Sequence, residues 1–164
     1  MGGADRHGAD PARHRGQDGA RRAGEGVNGN LRFAGYAAVF DRVDRGGDVV
    51  RAGAFGPDAE GRLATAGVPL LWQHAPGHVI GRIESAREDA RGLRVIGQVS
   101  RASAAGREAA AALAGGAVDG LSFGYRVRAA RGAGPRELLA LELVEVSVVT
   151  HPMQPLARVV KVEG

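Results

Sequence analysis

The chain has 164 residues, enough for one domain to close a hydrophobic core without metal or disulfide support. It holds no cysteine, which excludes disulfide frameworks, thiolate metal sites and a cysteine nucleophile. The formal charge of +4 comes from arginines scattered along the chain, and with aromatics at 4% there are few of the stacking platforms that nucleic-acid binding uses.

Residues 1–30 consist mainly of Gly, Ala, Arg, Asp and His, with Val27 the one aliphatic residue beyond alanine and Met1. Such a segment buries too little apolar surface to offset its ordering entropy, so disorder is expected there, with His7 and His14 inert. The arginines near the start lack the apolar stretch of a secretory signal, and no later run reaches the ~20 apolar residues of a membrane helix.

The folded domain is expected over 31–164. Leu31–Phe40 (LRFAGYAAVF) has the β-branched and aromatic content of a strand. Residues 41–55 read as a loop with a Gly-Gly turn, and 57–66 as a short helix. Val68–Gln73 reads as a strand stopped by Ala75-Pro76-Gly77, followed by strands near 78–87 and 93–100 joined by a polar turn. Ser103 to Leu113 is the clearest helix, with a serine N-cap, an alanine-rich body and a Gly115-Gly116 stop. Strands near 120–130 and 137–150 flank a Gly132–Pro135 turn, and a last strand covers about 157–162. The sum is a mainly β (α+β) domain with one or two helices. Its six or seven strands are expected to form a mostly antiparallel sheet curled into a barrel.

Three residues carry nucleophilic-hydrolase chemistry: a hydroxyl, an imidazole and a carboxylate. Ser122 lies in Gly120-Leu-Ser-Phe-Gly124, a match to G-x-S-x-G. A nucleophile elbow needs strand, sharp turn and helix, whereas the residues after Gly124 continue as a strand. Alternation puts Phe123, Tyr125 and Val127 on one face and Ser122 with Gly124, Arg126 and Arg128 on the other, wetter one. From local sequence alone, an ordinary strand serine is the better fit.

His74 ends an apolar strand just before a Pro-Gly turn, where its ring can project into a cleft, and an imidazole pKa near ~6.5 suits a general base. A half-buried structural histidine is the alternative. His74 and His78 have the H-x-x-x-H spacing of a helical zinc pair, but Pro76-Gly77 breaks any helix between them, so neither metal nor cofactor is expected. Glu145 interrupts the apolar run VEVSVV inside a strand that is apolar on both faces. A charge there needs a partner, and an imidazolium or an arginine would serve. Glu142, nearer the strand start, and Asp119 are the other acids available as a third member.

Together, FAGYAAVFD (33–41), GDVVRAGAF (47–55), VPLLWQH with IGR (68–74, 80–82), GLSFGY (120–125) and LVEVSVVTHPMQPLA (143–157) resemble, in order, the prohead maturation proteases of tailed bacteriophages. The resemblance covers about residues 31–162. It implies a serine protease related in fold to herpesvirus assemblin, with His74 as base, Ser122 as nucleophile and Glu145 where assemblin has a second histidine. Two departures stand out. Ala75-Pro76 replace residues that are often acidic in the family, and no arginine pair matches the assemblin oxyanion hole, leaving Arg126 as the candidate for that role.

The implied activity is cleavage of the scaffold-like N-terminal extension of the major capsid protein, and of the protease itself. It would take place inside assembling procapsids in the bacterial cytoplasm, with a possible homo-oligomer and without membrane or specific nucleic-acid partners. A non-enzymatic virion or scaffolding component and an esterase-like serine hydrolase are the alternatives.

Overall fold

A computed structural model describes residues 29–164, so the disorder expected for residues 1–28 falls outside the described residues. The body is mostly strand with one helix. In chain order the elements are β1 (Leu31–Val39), β2 (Asp48–Val50), β3 (Arg62–Leu63), β4 (Pro69–Trp72), β5 (Val79–Glu88), β6 (Gly92–Val99), α1 (Ala104–Ala114), β7 (Gly120–Arg131), β8 (Arg136–Val149) and β9 (Val159–Glu163).

One curled sheet runs β2-β8-β4-β5-β6-β1-β9, with β7 paired to β8 and β3 to β5. Period-2 alternation explains β1, where Leu31 and Phe33 are buried and Arg32 between them is exposed. The β5–β6 turn is closed by Asp89, whose Oδ1 accepts the backbone N–H groups of Arg91 (2.8 Å) and Gly92 (3.0 Å). The core holds Phe33, Leu70, Ile80, Leu93, Val95, Leu121, Val146 and Val148, all at 2% exposure or less. Burying each of the larger ones contributes ~1.5–3 kcal/mol.

The C-terminal segment stitches the curl together. Arg158 accepts the N–H of Tyr36 (3.0 Å), Ala157 accepts that of Leu121 (2.9 Å), and Val159 donates to Asp119 (2.7 Å). Gly35 permits this crossing, because a Cβ there would stand 2.5 Å from the Arg158 carbonyl oxygen. The start of β7, and with it Ser122, is thereby tied to β1.

Two expectations change in detail. Among the described residues the strands number nine, because β2 and β3 are short additions inside segments read as loop and helix. No helix covers 57–66: Asp58 Oδ1 accepts the N–H groups of Glu60 (3.0 Å) and Arg62 (2.8 Å), an Asx turn that competes with helix. The sheet is mostly antiparallel, as expected, with β8 pairing in parallel with β2 and β4 and antiparallel with β7. The helix is as expected. Ser103 Oγ accepts the Gly106 N–H (3.0 Å), and the face bearing Gly106, Ala109, Ala110 and Leu113 is buried. That face packs mainly on β5.

Candidate active site

The β7–β8 pairing builds the first half of the site. In this antiparallel register Ser122 stands opposite Ser147 and Gly124 opposite Glu145, and directly opposed residues share a face. Val146 and Val148 turn to the core, so Glu145 and Ser147 project from the other side of β8. The Glu145 side chain is only 12% exposed. Ser147 is fully buried and its hydroxyl donates to Glu145 Oε2 at 2.7 Å. Gly124 makes the room: a Cβ there would lie 2.7 Å from Glu145 Oε1 and 2.9 Å from its Cγ. The second glycine of G-x-S-x-G is thus a seat for the carboxylate, not part of an elbow.

Parallel pairing of β4 with β8 supplies the imidazole. Trp72 lies beside Val148, and the Gln73 N–H continues the ladder to the Val148 carbonyl (2.9 Å). The chain then reverses through Gln73 and His74, both left-handed at φ 54° and 59°, with the Ala75 N–H returned to the Trp72 carbonyl (3.0 Å). Left-handed backbone costs a side-chain-bearing residue roughly 1–2 kcal/mol. It aims the His74 ring at Glu145, with Nδ1 2.7 Å from Oε1.

An ionised carboxylate only accepts, so Nδ1–H is the donor and Nε2 is left with the free lone pair of a base. The hydrogen bond to Glu145 raises the His74 pKa above its ordinary value, and partial burial opposes the rise without cancelling it.

Ser122 and His74 line one cleft of about 230 Å³, together with Val50, Leu121, Phe123 and Tyr125. Ser122 is 5% exposed, drier than the alternation implied, because its strand is tied down on both sides. Among the described residues its hydroxyl makes no hydrogen bond, and none of the buried side-chain polar atoms lacks a partner. The unbonded Ser122 oxygen is therefore one that reaches the cleft. The His74 ring and the Ser122 hydroxyl share this space without a direct hydrogen bond, as is common before substrate tightens catalytic contacts. A second depression of about 200 Å³, by Arg32, Arg94 and Lys161, contains neither hydroxyl nor imidazole.

The other candidates are engaged elsewhere. Glu142 pairs with Arg126 (3.2 Å) and with Arg128, and Asp119 pairs with Arg158 (2.7 Å). Arg126 is 68% exposed and does not line the cleft, which leaves it without contact to Ser122 chemistry. His78 and His151 are exposed, and His7 and His14 fall outside the described residues. One neighbour of the carboxylate escaped sequence reasoning, Ser147, although its shared face with Glu145 was a signal.

Comparison with known proteins gives the family and the fold. The family described as Caudovirus prohead serine protease matches residues 18–163. The prohead protease of Enterobacteria phage HK97 is 35% identical over 98 residues, which is 58% of this chain and 42% of the relative, so the match spans less than half of that protein. Among solved structures, the KSHV protease in complex with a hexapeptide phosphonate inhibitor aligns with a TM-score of 0.52 at 16% identity. That alignment covers 83% of this chain and 66% of the viral protease, and at such identity it speaks for the fold alone.

Proposed function

The chain belongs to the caudovirus prohead serine protease family, and from that premise we propose that it is a capsid-maturation endopeptidase with Ser122, His74 and Glu145 as its catalytic residues. The observation that carries the reading is the 2.7 Å contact between His74 Nδ1 and Glu145 Oε1 beside a cleft lined by the Ser122 hydroxyl. It sets the tautomer in which Nε2 can take a proton.

In the proposed reaction Ser122 Oγ bonds to the scissile carbonyl carbon while its proton passes to His74 Nε2. Glu145 stabilises the imidazolium that forms, and Ser147 holds the carboxylate in place. Backbone N–H groups at the cleft would stabilise the tetrahedral oxyanion. Collapse breaks the C–N bond, the amine leaves with the proton from His74, and an ester to Ser122 remains. Water then repeats the sequence: its proton goes to His74, its oxygen bonds to the acyl carbon, and Ser122 Oγ leaves and regains a proton.

The proposed substrates are the N-terminal extension of the major capsid protein and the chain's own terminal segment. Confinement inside a procapsid in the bacterial cytoplasm raises effective concentration, so weak affinity suffices. Among the described residues no helix is long and apolar enough to cross a membrane.

Co-expression with the capsid protein tests the reading. The expected result is loss of the extension with the wild-type chain and full-length capsid protein with Ser122→Ala. Unchanged mass with both would favour a scaffolding role. Hydrolysis of small esters without peptide cleavage would favour an esterase.

A further inference from the structure

We infer that Gln73 is a positioning residue that holds the His74 imidazole against Glu145. The inference rests on the reading of His74 as the base. Gln73 stands immediately before that histidine in the left-handed turn, a conformation that glutamine does not favour by itself. Its side chain is bound at both ends: Nε2 donates to Thr150 Oγ1 at 2.7 Å, and Oε1 accepts the Thr150 N–H at 3.0 Å. With its own N–H on the Val148 carbonyl (2.9 Å), Gln73 makes three bonds to the C-terminal end of the strand that carries Glu145.

The base and its carboxylate are thus referenced to one strand. Backbone bonds from Ala75 to Trp72 (3.0 Å) and from Trp72 to His78 (3.0 Å) close the turn, but among the described residues the side-chain hold on the segment beside the ring is that of Gln73. The His74 side chain is 45% exposed, and its hydrogen bond among the described residues is the one to Glu145, for which water can compete. Released from Thr150, the turn can leave the left-handed region and swing the imidazole into solvent. Gln73 itself is absent from the lining of the cleft, so it acts through His74.

The experiment uses the full chain and a fluorophosphonate probe, which forms a P–O bond to an activated serine as fluoride leaves. The readouts are the maximal labelling rate, the half-saturating probe concentration, the pH profile and the melting temperature. Gln73→Ala tests the clamp, and Gln73→Gly removes it while relieving the backbone, so a folded variant remains available. Gln73→Ala is expected to label about 100-fold more slowly at unchanged half-saturation, as for a roughly 1 Å misplacement of a reacting group; Gln73→Gly, which adopts the left-handed turn without cost, should lose less. Their acid limb should move to lower pH, because the Glu145 contact that raises His74 is loosened. Thr150→Val should lose about 10-fold, and Thr150→Ser, which keeps the hydroxyl, should recover it.

Wild-type labelling and an unshifted limb in Gln73→Ala, or in Thr150→Val should the alanine variant not fold, would overturn the inference. So would a loss that tracks only the unfolded fraction. His74→Ala separates the two levels. If it is inactive while Gln73→Ala and Thr150→Val are unaffected, only the role of Gln73 fails. If it labels at the wild-type rate, the reading of His74 fails as well.

Discussion

Replacing Gly124 with alanine perturbs the site while leaving the Ser122, His74 and Glu145 side chains themselves unaltered. Gly124 lies in strand β7, and the added methyl would meet Glu145 Oε1 at 2.7 Å, Cγ at 2.9 Å and Cδ at 3.1 Å. An ordinary contact begins near 3.4 Å, so the carboxylate must retreat by about 0.7 Å. It is held at both oxygens, by His74 and by Ser147, so retreat breaks or stretches one of those bonds. Overpacking of this kind costs about 1–3 kcal/mol, and a shift near 1 Å in a catalytic group costs about 100-fold in rate. Urea denaturation should show the first and probe labelling of Ser122 the second, with the acid limb moved to lower pH as Glu145 loses its hold on the imidazole. A Gly124→Ala protein with wild-type rate, pH profile and stability would refute the claim that this glycine seats the carboxylate.

Other substitutions separate the roles around it. Glu145→Gln removes the main cause of the raised His74 pKa while partial burial remains, so the acid limb of kcat/KM should fall to lower pH as kcat drops by ~10²–10⁴. The linked stability has a definite sign. The pair stabilises fully below the unfolded imidazole value of ~6.5 and loses that contribution as pH rises through the folded value, so the gap in urea stability between wild type and Glu145→Gln should narrow from pH 6 to pH 9. Ser147→Ala should shift the limb the opposite way, to higher pH, because a carboxylate stripped of a donor holds the imidazolium harder; titrating the labelling rate distinguishes the two. Gln154→Ala, at the rim of the same cleft, should lower stability by about 2–4 kcal/mol in urea. It strands the buried N–H and C=O of Val39, both bound by the Gln154 amide.

The parts legible from sequence were those written in local periodicity. Strands β1 and β4 through β9, with helix α1, follow alternation, capping and turn residues. The need of Glu145 for a partner followed from the cost of a charge inside an apolar strand. What stayed hidden depends on distance along the chain. Asp48–Val50 is a strand because the edge of β8 is there to pair with, not because its Gly- and Asp-rich setting favours one. The parallel contact of β4 with β8 joins residues on either side of two hairpin strands, a helix and β7, beyond the reach of any turn signal. Gln73 belongs to the same class: its left-handed turn is stabilised by Thr150, 77 residues away, and its type alone gives no hint of it. Two such contacts, 71 and 77 residues in span, hold the segment and ring of His74, and neither is written in its neighbours.

The most direct test of the central claim is the site and pH dependence of covalent labelling. Wild-type protein treated with a fluorophosphonate should carry one adduct on Ser122 by peptide mass spectrometry. Its formation should rise through the titration of His74 and disappear in His74→Ala. An adduct on another serine, or labelling of Ser122 that is indifferent to the loss of His74, would contradict the account.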